Sequence, residues 1–295
     1  MKLGFIGFGG AGYGLAKGLR QDGMEEIHFH DRMQETPPFA EVIRRHAAET
    51  GAVPAATVAD LLSRVEVVVS CVTGAMAVSV AREAAPFLRP GHLYADVNTA
   101  APAVKEEVAA MVEQTGAAFV DAAMMGAIPT FLHRVPILAS GTGAQRFQAA
   151  LTPYGMNIRP IGEKPGQASA IKMFRSVFMK GILSLFLEML TATHRYGVDE
   201  LVLDSIAESL DGVPFRETAR LQMTKGVVNA ERMAHEMEEV IATLEGMGVP
   251  AGMSRAAREK LLWCAGFDFR ERYGGELPSA LPEVLRVMET PPVKK

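Results

Sequence analysis

The chain has 295 residues, 48% of them apolar, and a formal net charge of −4 with acidic and basic residues mixed along its length. That length holds two domains and a large core, and the composition excludes a disordered chain. No basic stripe invites nucleic acid, and no apolar run reads as a membrane span.

Residues 2–7 read as an apolar strand that leads into Gly7-x-Gly9-x-x-Gly12, and residues 11–21 as a helix. Strand, glycine turn and helix in that order are the context of a dinucleotide-binding fingerprint. Gly7 permits a tight turn, Gly9 lets a pyrophosphate approach the backbone, and Gly12 lets the helix pack on the strand. The loop Gly7, Phe8, Gly9, Gly10, Ala11 and Gly12 is therefore the expected cofactor cradle, with the helix N-terminus turned to the phosphates. Residues 26–30 read as a second strand. Asp31 ends it, 19 positions beyond Gly12, close to the spacing of the acidic residue that bonds an adenosine ribose. Arg32 follows, so both NAD and NADP stay open. The Asp31 carboxylate would repel a 2′-phosphate, which leans the expectation to NAD.

Pro37-Pro38 marks a loop, 39–51 a helix and 58–63 a short helix. Residues 65–72 form a nearly continuous apolar run, the pattern of a buried parallel strand. The turn Val72-Thr73-Gly74 lies at its carboxyl end, where open α/β sheets place ligands. A helix over 75–87 ends at Pro90-Gly91. A strand over 92–97 runs into Asn98-Thr99-Ala-Ala-Pro102, and a helix continues to about 115. Strands over 117–121, 135–139 and 157–161 complete an alternation that predicts a doubly wound parallel sheet, a Rossmann-type α/β fold.

The second half changes character. Residues 166–196 carry one long helical pattern without proline, dense in apolar side chains such as Phe174, Val177, Phe178, Leu183 and Leu185. Such a helix needs cover nearly all round. It is expected to link two domains and to pack on a second subunit, making a homodimer or a higher homo-oligomer. Helices are predicted over 200–210, 215–223, 231–246, 253–265 and 282–288, with no strand signal. The expected organisation is a dinucleotide-binding domain over 1–163, a linking helix over 164–196 and an all-helical substrate and dimerisation domain over 197–295. The end, 291–295, is a polar tail.

The residue that asks for a chemical reason is Lys172, among small and apolar neighbours early in the long helix. It is either a lysine reaching out to water or a desolvated amine able to move a proton near neutral pH. Ser169, Arg175 and Ser176 share its helix face. Other features read more blandly. His235-Glu236 lacks the second histidine of a zinc motif, and no metal is expected. His28 and His30 read as a partly exposed pair. Phe267 and Phe269 read as packing residues in a loop. Cys71 and Cys264 make no disulfide framework, and the first strand starts two residues from Met1, so a cytoplasmic protein is expected.

Four ordered segments resemble the β-hydroxyacid dehydrogenase family, which includes 3-hydroxyisobutyrate and 6-phosphogluconate dehydrogenases. They are Gly4-Phe-Ile-Gly7-Phe-Gly9-Gly-Ala-Gly12, Asp96-Val-Asn98-Thr99-Ala-Ala-Pro102, Phe119-Val-Asp121-Ala-Ala-Met-Met-Gly126-Ala127 and residues 166–176 around Lys172. Lys172-Met-Phe-Arg-Ser-Val-Phe-Met-Lys-Gly181 and Glu231-Arg-Met-Ala-His-Glu-Met-Glu238 resemble a less characterised branch with a helical C-terminal domain of unassigned function. The resemblance implies hydride transfer between a nicotinamide and a small, acidic hydroxy acid or its aldehyde or keto counterpart. It makes Lys172 the general acid/base and puts Asn98 in the place of a substrate-binding serine. It sets Thr99 beside the nicotinamide, matches Val72 and Thr73 to the turn over the cofactor, and matches Gly126 to a glycine at the substrate carboxylate. His235 falls where the family has a cofactor-site lysine. Departures are Ser176 and Arg175 where asparagines are usual, Met125 for the loop serine, and Ala127 for the second loop glycine. With Met124, these mark a changed pocket, and Arg175 reads either as a surface arginine, the favoured reading, or as a partner for a substrate carboxylate or phosphate. Two rival readings are an imine reductase on a related scaffold, whose members generally lack the lysine, and a non-catalytic dinucleotide sensor.

Overall fold

The computed structural model describes residues 1–293; Lys294 and Lys295 of the expected tail lie outside the described residues. Among these, one sheet is built from β1 (Leu3–Ile6), β2 (Ile27–His30), β3 (Val53–Pro54), β4 (Val67–Ser70), β5 (Leu93–Asp96), β6 (Ala118–Met124), β7 (Ile137–Ser140) and β8 (Ile158–Gly162). Their spatial order is β3-β2-β1-β4-β5-β6-β7-β8. All four residues of β1, β4 and β5 are buried, because both faces of the sheet are covered. This is why these segments read as unbroken apolar runs rather than alternating ones.

The helices around the sheet are α1 (Gly10–Gln21), α2 (Phe39–Thr50), α3 (Val58–Arg64), α4 (Ala77–Ala84), α5 (Pro102–Glu113), α6 (Ile128–Phe131) and α7 (Ala144–Leu151). Phe5, Phe8, Leu15, Phe29, Val69 and Phe147 form the core on one face of the sheet, where α1 and α7 pack. Leu61, Val68, Tyr94, Val108 and Phe119 form it on the other, under α3 and α5. Neighbouring residues of β4 go to opposite cores, as the strand's period of two requires.

The sheet differs from a fully parallel one at a single pairing. β7 runs antiparallel to β6, with Asp121 opposite Ser140. Between them stand only the short α6 and a 3-10 turn over Leu132–Arg134. Without a full-length helix to carry it across the sheet, the chain returns antiparallel. The edge strand β3 was not legible either: its second residue is a proline, which only an edge tolerates.

The second half is helical: α8 (Gln167–Tyr196), α9 (Asp199–Leu210), α10 (Phe215–Val228), α11 (Ala230–Gly246), α12 (Gly252–Ala265), α13 (Phe269–Arg272) and α14 (Leu281–Met288). α10 runs on beyond the expected end at 223, and α13 replaces part of the loop expected around Phe267 and Phe269. Both phenylalanines are buried in a small core with Val227, Cys264 and Val284. By compactness the chain divides into residues 1–177 and 178 onward, a division that falls inside α8.

Within the second unit, the N-terminus of α12 has no capping side chain of its own, since Ala251 stands at its cap. Glu188 of α8 supplies the acceptor instead. Its Oε2 takes the Met253 amide at 2.8 Å, and its Oε1 takes the Ser254 amide at 2.9 Å and the Ser254 hydroxyl at 2.7 Å. Burial alone would raise this carboxyl, but the Ser254 hydroxyl and the two amides outweigh it and hold it below its ordinary value of 4.5. A carboxyl held low stabilises the fold above its unfolded-state value and loses that contribution as pH falls through its folded-state value. Glu188→Gln is therefore expected to cost about 1 kcal/mol at neutral pH. Denaturant titrations of the two proteins should converge as the pH is lowered.

Candidate functional site

Because β1, β2, β4, β5 and β6 are parallel, their carboxyl ends lie at one edge. The segments expected at the site leave the sheet there. Gly7 follows β1 with a φ of +92°, the left-handed region open to glycine. A Cβ on Gly7 would stand 2.5 Å from the Cys71 carbonyl oxygen, so this loop sits directly on the turn after β4. A Cβ on Gly12 would come within 2.4 Å of the Gly7 carbonyl oxygen. The first turn of α1 thus presses on the end of β1, as the fingerprint requires.

Gly9 and Gly10 behave differently. Neither has any protein atom within 4 Å of a would-be Cβ, and both are exposed. They open α1, a helix whose first turn has no acidic residue and no side-chain cap. Its amides and positive dipole end are left for an external anion. This cradle fits a dinucleotide pyrophosphate.

Asp31 closes the other side of the loop. Its Oδ2 accepts the Phe8 amide at 2.7 Å and its Oδ1 the Met33 amide at 2.8 Å. The loop is further braced by His46, whose Nδ1 lies 3.1 Å from the Phe8 carbonyl oxygen and whose ring stacks on Tyr13 at 4.0 Å. Arg32 is exposed.

On the far side of Gly7 the turns after β4 and β5 lock together. The Val72 amide donates to Asn98 Oδ1 at 2.6 Å, and Asn98 Nδ2 donates to Ser70 Oγ at 3.0 Å. Asn98 is 5% exposed. Its side chain thus braces the two turns. Gly74 leaves no room for a side chain, since a Cβ would stand 2.1 Å from the Thr99 carbonyl oxygen. Thr73 and Thr99 are exposed beside these turns.

Lys172 reaches Thr99: its Nζ donates to Thr99 Oγ1 at 3.0 Å. A continuous line of contacts therefore runs from Asp31 through Phe8, Gly7, Val72, Asn98 and Thr99 to Lys172. One helical turn on, Ser176 is half-buried and Arg175 exposed. The 125–127 loop leaves β6 with Met125 half-buried and Gly126 exposed. The Met125 amide donates to the Pro136 carbonyl at 2.7 Å. The loop leads into α6, where Ile128 lies against Gly14 of α1. His235 stands on α11 in the second unit, exposed, in the wall of a 950 Å³ cavity with Asn229, Arg232 and Arg270.

Four residues beneath this line were not foreseen as site residues. Lys105, fully buried, donates to Asp96 Oδ1 at 2.9 Å and to the Asp96 carbonyl at 3.0 Å, and lies 3.7 Å from Asp121 Oδ1. Asp121 accepts the Ser169 hydroxyl at 2.6 Å and its amide at 2.8 Å. Burial pushes the Asp96 carboxyl up, against the pull of the Lys105 ammonium, and the Asp121 charge adds to the rise. A signal was present: Lys105 occupies the buried stripe of α5 with Val108, Ala109 and Val112. A lysine on such a stripe needs a partner.

Residues 2–162 match the NAD binding domain of 6-phosphogluconate dehydrogenase, which is more than half of the chain. The chain belongs to that family. Residues 193–263 match a domain of unknown function (DUF1932). This family member is an NAD(P)-dependent oxidoreductase. It is 24% identical to an L-threonate dehydrogenase of Cupriavidus necator over 98% of this chain and 97% of that one. It is 33% identical to a conserved protein whose structure is described as similar to 3-hydroxyacid dehydrogenases, covering 90% of this chain and 98% of that one with a TM-score of 0.61. An imine reductase from Myxococcus stipitatus in complex with NADP+ shares the fold at a TM-score of 0.74, covering 98% of this chain and 100% of that one, with 20% identity. Among the described residues, no helix is long and apolar enough to cross a membrane.

The two kinds of glycine separate folding from binding. Gly9→Ala meets no protein atom, so its thermal unfolding should match the wild type while dinucleotide affinity falls about tenfold or more, because the methyl occupies the anion's approach. Gly12→Ala overlaps the Gly7 carbonyl and should lose both stability and binding. Calorimetric titration with NADH, beside thermal melts, reads both.

Proposed function

We propose that this oxidoreductase interconverts a small, acidic hydroxy acid and its aldehyde or keto counterpart, with Lys172 as general acid/base. The observation that carries this reading is the 3.0 Å contact between Lys172 Nζ and Thr99 Oγ1 at the carboxyl edge of the sheet. A bound nicotinamide supplies or accepts the hydride at the carbon bearing oxygen. Lys172 handles the proton. In reduction its ammonium gives a proton to the developing alkoxide oxygen, and in oxidation its neutral amine takes the hydroxyl proton. Thr99, which now accepts from Lys172, holds the amine at the pocket. The whole-length similarity to an enzyme named for a hydroxy acid supports the substrate class.

Gly7 to Gly12 would hold the pyrophosphate, and Asp31 would meet the adenosine ribose. The Asp31 carboxylate, held at the glycine loop by the Phe8 amide, supports a preference for NAD, since it stands against a 2′-phosphate. Gly126 and Met125, with Ser176, would shape the substrate pocket. The free, buried cysteines support a reducing cytoplasm.

In an assay of hydroxy acids and their carbonyl forms with NADH and NADPH, NADH should be the better cofactor. Lys172→Ala should lower kcat about a hundredfold or more while leaving NADH affinity unchanged. Turnover at the wild-type rate in that variant would rule out the assigned mechanism.

We also propose a homodimer. In the second unit Leu183, Leu185 and Leu187 of α8 and Phe215 of α10 are between 50% and 63% exposed, an apolar surface that a second copy would cover. Light scattering coupled to gel filtration should give twice the 31.7 kDa chain mass. Leu187→Glu should shift it toward the single chain.

A further inference from the structure

Lys105 lies on α5, fully buried and bonded to Asp96, which precedes Thr99 on the turn after β5. Burying a charge of this size costs several kcal/mol even when it is paired, and an apolar replacement of similar volume is often no less stable. The cluster is therefore a poor candidate for a stability element. What a fully hydrogen-bonded buried network does supply is a fixed geometry.

Its connections show which geometry. Four elements meet at one point: Asp96 ends β5, Asp121 belongs to β6, Lys105 to α5 and Ser169 to the first turn of α8. Asp96, Lys105, Asp121 and Ser169 are each at most 3% exposed. On one side, Asp96 Oδ1 accepts the Asn98 amide at 2.8 Å as well as the Lys105 ammonium, which sets the turn carrying Thr99. On the other side, Asp121 grips Ser169 twice, through its amide and its hydroxyl. The neighbouring Ala168 amide donates to Ser140 Oγ at 3.1 Å. An amide bond fixes α8 along its axis, and a hydroxyl bond on the same residue fixes its rotation. Ser169 lies three residues before Lys172, on the same helix face. Both ends of the Lys172–Thr99 contact are thus referenced to a single ammonium.

We propose that Lys105, acting through Asp96 and through Asp121 with Ser169, is a positioning residue that sets the Lys172 amine against Thr99. This rests on the reading of Lys172 as the proton-transfer group. Its test therefore includes a readout that does not use turnover.

Ser169→Ala deletes the hydroxyl bond and keeps the amide one, and Ser169→Thr restores the hydroxyl. The double variant Lys105→Met/Asp96→Asn removes one charge of each sign, leaving the net charge of the cluster unchanged. For each full-length protein, kcat, the KM for NADH and the pH profile of kcat are measured. In parallel, the rate at which a lysine-selective acylating reagent modifies Lys172 is followed by mass spectrometry across pH. Ser169→Ala and the double variant should lose about tenfold in kcat, as misplacement of a catalytic group does, with the KM for NADH unchanged. The limb of the pH profile that reports the amine should move, and the labelling rate of Lys172 should change severalfold. Ser169→Thr should return all of these toward the wild type. Wild-type kcat, pH profile and labelling in Ser169→Ala would overturn the proposal, including where the double variant does not fold. If Lys172→Ala retained full turnover, the acid/base reading would fall. The labelling rates would still decide whether the cluster places the lysine.

Discussion

The constraint on which the rest depends is the close approach of α1 to the end of β1. The Gly7 carbonyl oxygen stands 2.4 Å from where a Gly12 Cβ would be, so only a glycine lets the helix begin this close to the strand. Two consequences follow. The amides of Gly9, Gly10 and Ala11 open at the carboxyl edge of a parallel sheet, where the dipole at the helix start favours an anion. The loop also has no slack of its own, so its shape is taken from its neighbours: Cys71 and Val72 under Gly7, the Asp31 carboxylate on the Phe8 amide, and His46 on the Phe8 carbonyl. A dinucleotide meets a surface already ordered before it binds, which lowers the entropy lost on association.

The second constraint is electrostatic. One ammonium and two carboxylates are enclosed between β5, β6, α5 and α8, leaving an excess negative charge in a dry interior. Burial raises the Asp96 carboxyl and the Asp121 charge adds to the rise, against the pull of the Lys105 ammonium. The Ser169 amide and hydroxyl, both donating to Asp121, compensate part of the burial of this second carboxylate.

The fold was legible where periodicity and turn chemistry speak locally. The apolar runs at 65–72 and 92–97, the glycine loop and the proline-free stretch 166–196 each have one physical solution, and the structure adopts it. The antiparallel β7 was not legible, because strand direction depends on whether the connection crosses the sheet, and a short helix such as α6 leaves little periodicity to read. The site was legible in its backbone and less so in its side chains. Lys172 and Thr99, named from separate segments of the sequence, are in contact. Asn98 is buried, its Oδ1 accepting the Val72 amide and its Nδ2 donating to Ser70 Oγ, contacts that local sequence gives no means to foresee. Lys105 was missed because a lysine in a helix reads as solvent-facing until its neighbours at 108, 109 and 112 are weighed.

The brace at Asn98 bears on how the edge of the sheet is held. Its Oδ1 and Nδ2 tie the turn after β4 to the turn after β5. Asp96 takes the Asn98 amide at 2.8 Å and so joins that brace to the buried Lys105 ammonium. The backbone carrying Thr99 is therefore set by buried groups before any ligand arrives, and Thr99 in turn meets Lys172. A polar contact held at both ends by satisfied, buried hydrogen bonds keeps its geometry. The cofactor loop that the chain shares with its relatives is one half of this edge, and the Asn98 and Asp96 brace is the other.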